Sequence, residues 1–150
     1  MTPEDSLQQF IDRFAPKIAE LAAAAVFRLR ELLPNAVVLV YDNYNALAIG
    51  FGPSESAREG IFSLAVYASK VNLNFLQGGV SSLRDPDGLL QGSGSLNRFV
   101  TLVGVETLDD PAVTDLMRQA IDAASKPLDP TAKGYVVVKS ISAKQRPRRS

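Results

Sequence analysis

One glycine-rich segment of this 150-residue chain combines residue types that could bind an anion. Three glycines within seven positions would let neighbouring backbone N–H groups converge on one point, and such concave arrangements hold anions. Basic side chains at both ends of the segment, and one lysine upstream, would add positive charge. The predicted ligand-binding residues are Lys70, Arg84, Asp85, Asp87, Gly88, Gly92, Gly94 and Arg98. The sequence therefore predicts a site for an anionic small molecule, with a protein partner as the other candidate occupant.

The same segment can also be interpreted as an ordered turn that joins two strands. Arg98 would then pair with Asp85 or Asp87 and fix the turn, as most loops simply connect elements. The segment does not match a nucleotide-binding fingerprint, because Gly92-Ser93-Gly94 lacks the lysine of a P-loop and the third glycine of a dinucleotide loop. The anion site and the connecting turn both stay open.

The amino-acid composition excludes several kinds of chemistry. The chain contains no histidine and no cysteine, so serine–histidine and cysteine–histidine catalysis, thiolate metal sites and disulfides are excluded. Only a pair of carboxylates or a carboxylate metal site could remain. We therefore expect a non-enzymatic binding module, with no catalytic residue, no metal ligand and no cofactor assigned.

The charges are unevenly distributed although the net charge is zero. Residues 133–150 hold six cations and no acid, which leaves ten cations against sixteen acids in residues 1–132. We expect residues 1–132 to form a single domain, and residues 133–150 to form an edge strand followed by a basic, disordered tail. The tail could contact nucleic acid or anionic lipid, but it lacks aromatic residues for base stacking, so nucleic acid is not an expected partner.

The chain shows no targeting or membrane-spanning segment. It opens with an acidic, polar stretch rather than a basic one followed by an apolar run. Its longest apolar stretches are far too short to cross a bilayer. These features predict a soluble, cytoplasmic protein that does not contact membranes.

The hydrophobic pattern predicts helices at both ends of the domain. Apolar residues recur every three or four positions from Ile11 to Leu32, and Pro16 should divide this region into two helices. Pro34 should end the second helix, because the residue before a proline is displaced from the helical conformation. Asp109-Asp110-Pro111 is typical of a helix start, and that helix should reach about residue 126.

The region between these helices predicts strands at residues 36–41, 46–51, 61–67, 71–75 and 99–105, with a further one near 134–138. This order predicts an α+β fold: an antiparallel sheet of about five strands, with the N-terminal and C-terminal helices packed on one face. Five aromatic residues should meet on the sheet, and most should be buried: Tyr41, Tyr44, Phe51, Tyr67 and Phe75. If the helices cover only one face, some of these rings could line an open pocket or a homodimer surface.

Three stretches within about residues 5–126 resemble the YdhG-like family, a group of bacterial domains of unknown function. They are the amphipathic run ending in Leu32-Leu33-Pro34-Asn35-Ala36, the strand Val71-Asn72-Leu73-Asn74-Phe75 followed by Gln77-Gly78-Gly79, and Leu83-Arg84-Asp85-Pro86-Asp87-Gly88-Leu89-Leu90-Gln91-Gly92-Ser93-Gly94 followed by Arg98. Ser95 stands where the family commonly has lysine, and the family's common histidine has no counterpart.

One class of that family is described as a frataxin-like iron chaperone. The resemblance therefore implies an intracellular iron-binding chaperone as the alternative function. Acidic residues that could line the first helices are Glu4, Asp5, Asp12 and Glu20. They are spread thinly and lie among cations, whereas a hard cation needs several oxygens close together. A solvated helix face explains them equally well.

Overall fold

The computed structural model describes residues 1–77, 83–92 and 98–149 of the chain. Within these residues the helices are α1 (Pro3–Asp12), α2 (Pro16–Leu32) and α3 (Pro111–Asp122). The strands are β1 (Val37–Asp42), β2 (Leu47–Gly52), β3 (Phe62–Val66), β4 (Val71–Phe75), β5 (Arg98–Thr101) and β6 (Val136–Ile141), and short 3-10 turns lie at Ala57–Glu59 and Val105–Asp109. The predicted α+β class is confirmed.

Local signals in the sequence set the helix ends. At the start of α1, Thr2 and Asp5 form a reciprocal capping box, which satisfies backbone N–H groups that have no partner inside the helix. Pro16 occupies the first turn of α2, where its missing N–H costs nothing. The Asp110 carboxylate accepts from the backbone N–H of Ala112 and caps α3. The predicted division of the N-terminal region into two helices at Pro16 is confirmed.

The strand order across the sheet is β5-β4-β3-β2-β1-β6. Strands β1 to β5 form an antiparallel meander, as predicted. The prediction of a wholly antiparallel sheet is wrong for β6, which pairs with β1 in parallel. β5 and β6 run in the same direction at opposite edges of the sheet, so the chain between them, which contains α3, crosses back over the sheet before β6 pairs with β1. The sheet therefore has six strands and is mixed.

The two faces of the sheet have different environments. The alternation of side chains along the strands places Val40, Ile49 and Leu64 on one face, where they share a cluster of buried apolar side chains with residues of all three helices. The other face, here called the outer face, carries Leu39, Gly50 and further small or polar residues, and Leu39 lies outside that cluster. The core thus lies between the helices and one face of the sheet.

The basic C-terminal segment is placed against the domain, which differs from the disordered tail expected from its composition. Arg148 is 8% exposed and its guanidinium lies 2.9 Å from the Asp42 carboxylate and over the Phe14 ring. Asp42, at the end of β1, is 1% exposed, and a buried carboxylate needs a charged or hydrogen-bonding partner. The run of cations in the sequence showed the tail's charge but not this buried acceptor.

None of the described helices has the length and apolar character that a bilayer-spanning helix requires.

Candidate ligand-binding sites

The glycine-rich segment folds around one of its own carboxylates. Asp85 accepts from the backbone N–H groups of Leu89 and Leu90, each at 2.9 Å, and its backbone carbonyl accepts from the N–H of Gly88 at 3.1 Å. Gly88 and Gly92 have φ angles of 65° and 101°, a region that favours glycine. The carboxylate of Asp85 thus takes the place that an external anion would occupy.

The next backbone N–H group of the segment is also engaged. Gln91 exchanges two backbone hydrogen bonds with Phe99 of β5, at 2.8 and 3.1 Å. Four consecutive N–H groups, those of residues 88–91, are therefore donated within the chain. An anion at this point would have to displace the Asp85 carboxylate, so the anion site stays a prediction with that added requirement. Gly94 lies outside the described residues, and so do Gly78, Gly79 and Ser95 of the stretches that resemble the YdhG-like family.

Lys70 and Arg98, two of the predicted cations, lie at opposite ends of β4 rather than together. Lys70 precedes β4 and lies over the Tyr67 ring, whereas Arg98 begins β5 and pairs with Phe75 at the opposite end of β4. These two ends are separated by about 13 Å at 3.3 Å per residue. Asp87 lies on an exposed turn.

Arg84 is fixed through its backbone rather than through its charge. The Gln119 side chain accepts from its N–H at 2.8 Å and donates to its carbonyl at 3.0 Å. A polar groove of about 250 Å³ lies here, and its charged lining residues are Arg84, Arg118 and Asp122. Arg118 is already paired with Asp115 and Asp122, and the hydrogen bond from Arg118 lowers the pKa of Asp115. The groove therefore offers little net positive charge to an anion.

The acids proposed for iron are also engaged or separate. Asp5 belongs to the capping box of α1, where the backbone N–H of Thr2 lowers its pKa. Asp12 accepts from the side-chain amide of Gln8. Over the described ranges, no group of three or more acidic residues lies close enough together to hold a metal ion. The helix-face interpretation fits these contacts.

The outer face of the sheet carries a different site, here called the sheet cavity, with a volume of about 170 Å³. Its lining contains no charged side chain. The lining residues are Leu39, Tyr41, Gly50, Phe51, Gly52, Ala57, Gly60, Ser63 and Leu76. Of the aromatic set that the sequence placed on the sheet, Tyr41 lies on this face, whereas the Phe51 side chain belongs to the core cluster on the other face. The prediction that some of these rings could line a pocket concerns this cavity.

The floor of the cavity is made by small residues in the middle of the sheet. Gly50 pairs with Leu39 on one side and with Ser63 on the other. A Cβ atom built at Gly50 would meet its nearest neighbour, the Leu39 carbonyl oxygen, at 3.7 Å, which is ordinary contact. Glycine is therefore not required there by the backbone, and its effect is to leave space. A glycine inside a strand pattern is a sequence signal for close approach of a ligand or backbone.

The wall of the cavity is a loop after β2 that is tied down at several points. Ser54 donates to the Glu59 carboxylate at 2.6 Å, which lowers the pKa of Glu59, and Lys126 forms an ion pair with the same carboxylate. Gln77 donates to the backbone carbonyls of Glu59 and Gly60. This loop is thus held by side chains from three parts of the chain, so the cavity wall does not depend on a ligand.

Two buried polar atoms on the outer face lack partners. Tyr41 Oη and Asn74 Oδ1 are closed to solvent, and within the part of the chain that the structure describes neither has a hydrogen-bond partner. Burial also raises the pKa of Tyr41, so its hydroxyl stays protonated and able to donate. A buried polar group left without a hydrogen bond costs about 1–3 kcal/mol.

Comparison of the chain with known protein families, with characterised proteins and with solved structures finds no match in any of the three.

Proposed function

We propose that this chain is a non-enzymatic binding module that holds a small molecule in the sheet cavity. The observation that carries the proposal is the cavity itself: about 170 Å³ above a floor opened by Gly50, beside a loop that the chain's own contacts already hold in place. Concave, largely preformed, mostly apolar sites with few polar groups are what small-molecule sites usually look like.

The sheet cavity is a better candidate than the glycine-rich segment. In the segment, the backbone N–H groups that would bind an anion already donate to Asp85 and to Phe99. Phosphate or sulfate would have to compete with a carboxylate that is covalently part of the same turn. A bound anion thus remains a secondary proposal that rests on the cations of the segment, Arg84 and Arg98, and iron binding rests on the family resemblance alone.

Protein-observed NMR with a library of small fragments tests this proposal. Hits on the wild-type chain should shift amides around Gly50 and Ser63, and the Gly50→Val variant should lose them because its methyl groups fill the space. Ala65→Val on β3 is the matched control, since it adds volume on the same face of the sheet but lies outside the cavity lining and is not paired with Tyr41. Fragments that bind without moving these amides, or that bind Gly50→Val equally well, would show that the cavity is not a binding site.

A further inference from the structure

The volume of the sheet cavity matches about one ring, and the cavity is open to solvent on one side. An engineered apolar cavity of about 150 Å³ in another protein holds benzene, and the sheet cavity is about 170 Å³. The flat floor, made by backbone and small side chains at Gly50 and Ser63, favours a planar group. A six-membered ring with one small substituent therefore fits the space.

The lining of the cavity selects against a charged ligand. None of its nine residues carries a formal charge. An ion brought into such surroundings loses its hydration without gaining a counter-charge, and this is far more costly than burying a neutral polar group. The ligand should thus be uncharged, with a polar group that can be satisfied locally.

Tyr41 is the residue best placed to satisfy that group. It lines the cavity, and its hydroxyl oxygen is buried with no partner among the described residues. The phenol must turn toward the cavity to reach a ligand, because its hydroxyl oxygen is closed to solvent as it stands. A ligand that accepts a hydrogen bond from it would also remove the penalty of the unsatisfied group.

We infer that the sheet cavity, if it is the binding site proposed above, takes an uncharged, ring-sized molecule whose hydrogen-bond acceptor is engaged by the Tyr41 hydroxyl. Tyr41 is then the residue that distinguishes between ligands of similar shape. The cavity walls provide the apolar contact, and the phenol provides the selection for an acceptor.

Three ring compounds of similar size test this inference: benzamide, toluene and benzoate. Titrations followed by NMR should show benzamide binding to the wild-type chain more tightly than the other two. Toluene fits the space but offers no acceptor, and benzoate has acceptors but carries a charge. In Tyr41→Phe, which keeps the ring and removes the hydroxyl, benzamide should bind roughly three- to tenfold more weakly, as expected for one neutral hydrogen bond. Toluene should be unaffected.

The results separate this inference from the proposed function. If all three compounds bind in the cavity equally, or if benzoate binds best, the inferred ligand class is wrong while the cavity remains a binding site. An unchanged benzamide affinity in Tyr41→Phe would likewise overturn the role of the hydroxyl alone. If none of the three compounds shifts the cavity amides while library fragments do, the ligand class again fails. If neither does, the proposed function fails with it.

Discussion

The buried ion pair between Arg148 and Asp42 should make the C-terminal segment a measurable part of the stability of this domain. The Asp42 carboxylate is 1% exposed, and it receives Arg148 on one oxygen at 2.9 Å and Arg13 on the other at 3.2 Å. Arg148 also donates to the Asn43 carbonyl at 2.6 Å and lies 5.4 Å from the centre of the Phe14 ring. The segment is therefore joined to α1 and to the end of β1.

The expected cost of breaking this pair follows from these contacts. Arg148→Ala removes a hydrogen bond between charged groups, worth about 1.5–3 kcal/mol, and a cation–π contact worth about 0.5–2 kcal/mol. Part of this loss is offset because Arg13 still faces Asp42 and because the alanine variant no longer orders a long side chain. We expect Arg148→Ala to lower the free energy of unfolding by about 2 kcal/mol.

Asp42→Asn should cost more, about 3 kcal/mol, because it leaves the Arg148 charge buried without a counter-charge. Because the two substitutions break the same ion pair, the double variant should cost less than the sum of the two single variants.

Urea denaturation of the single and double variants measures these values, with Arg146→Ala as the matched control. Arg146 is exposed and its side chain lies over the Tyr44 ring, so this control removes the same charge from the same segment without a buried partner. It should change stability by no more than about 0.5 kcal/mol. If Arg148→Ala and Arg146→Ala have equal effects, or if the two single variants at residues 42 and 148 are additive, the buried pair does not hold the segment.

Three further predictions concern the loop contacts and the glycines. Asp85→Ala should lower stability by about 1–2 kcal/mol, since it frees two backbone N–H groups; phosphate binding that appears only in this variant, measured by NMR titration, would show that the carboxylate blocks an anion site. Gly50→Ala should be neutral or raise stability by up to about 1 kcal/mol. Gly134→Ala should lower stability by about 1–3 kcal/mol, because a Cβ at Gly134 would lie 2.5 Å from a backbone oxygen. Thermal melts in which Gly134→Ala is the more stable of the two variants would contradict the packing described. Glu59 has a lowered pKa, mainly because Ser54 donates to it. Its contribution to stability is therefore present above the pKa of an unfolded glutamate and is lost as the pH falls through the lower folded value. Glu59→Gln should flatten the acid limb of a stability profile measured from roughly pH 7 to pH 3, and an unchanged limb would count against this bond.

Much of the fold could be predicted from the sequence because the signals are local. Pro16 separates α1 from α2, Asp110 caps α3, and the alternation of β4 falls at residues 71–75. Each depends on residues within one turn or one strand, where the backbone limits the choices. The antiparallel order of β1 to β4 follows in the same way, since the connections between these successive strands are short, whereas β4 and β5 are joined by the long segment of residues 76–97.

The position of β6 and the candidate sites depended on contacts between residues far apart in the sequence. The apolar composition of residues 136–138 predicts a strand, but it is equally compatible with a parallel partner at one edge of the sheet and an antiparallel partner at the other. The run of cations at the C-terminus gave no sign that Asp42, about a hundred residues earlier, would be buried and would hold one of them. Likewise the sequence showed glycines near residue 90, but not that the Asp85 carboxylate would accept from the backbone N–H groups between them. Gly50 opens a cavity only because Leu39 and Ser63 flank it across neighbouring strands. Sequence patterns determine which segments become helices and strands, whereas charge pairing and empty space arise only when those segments pack together.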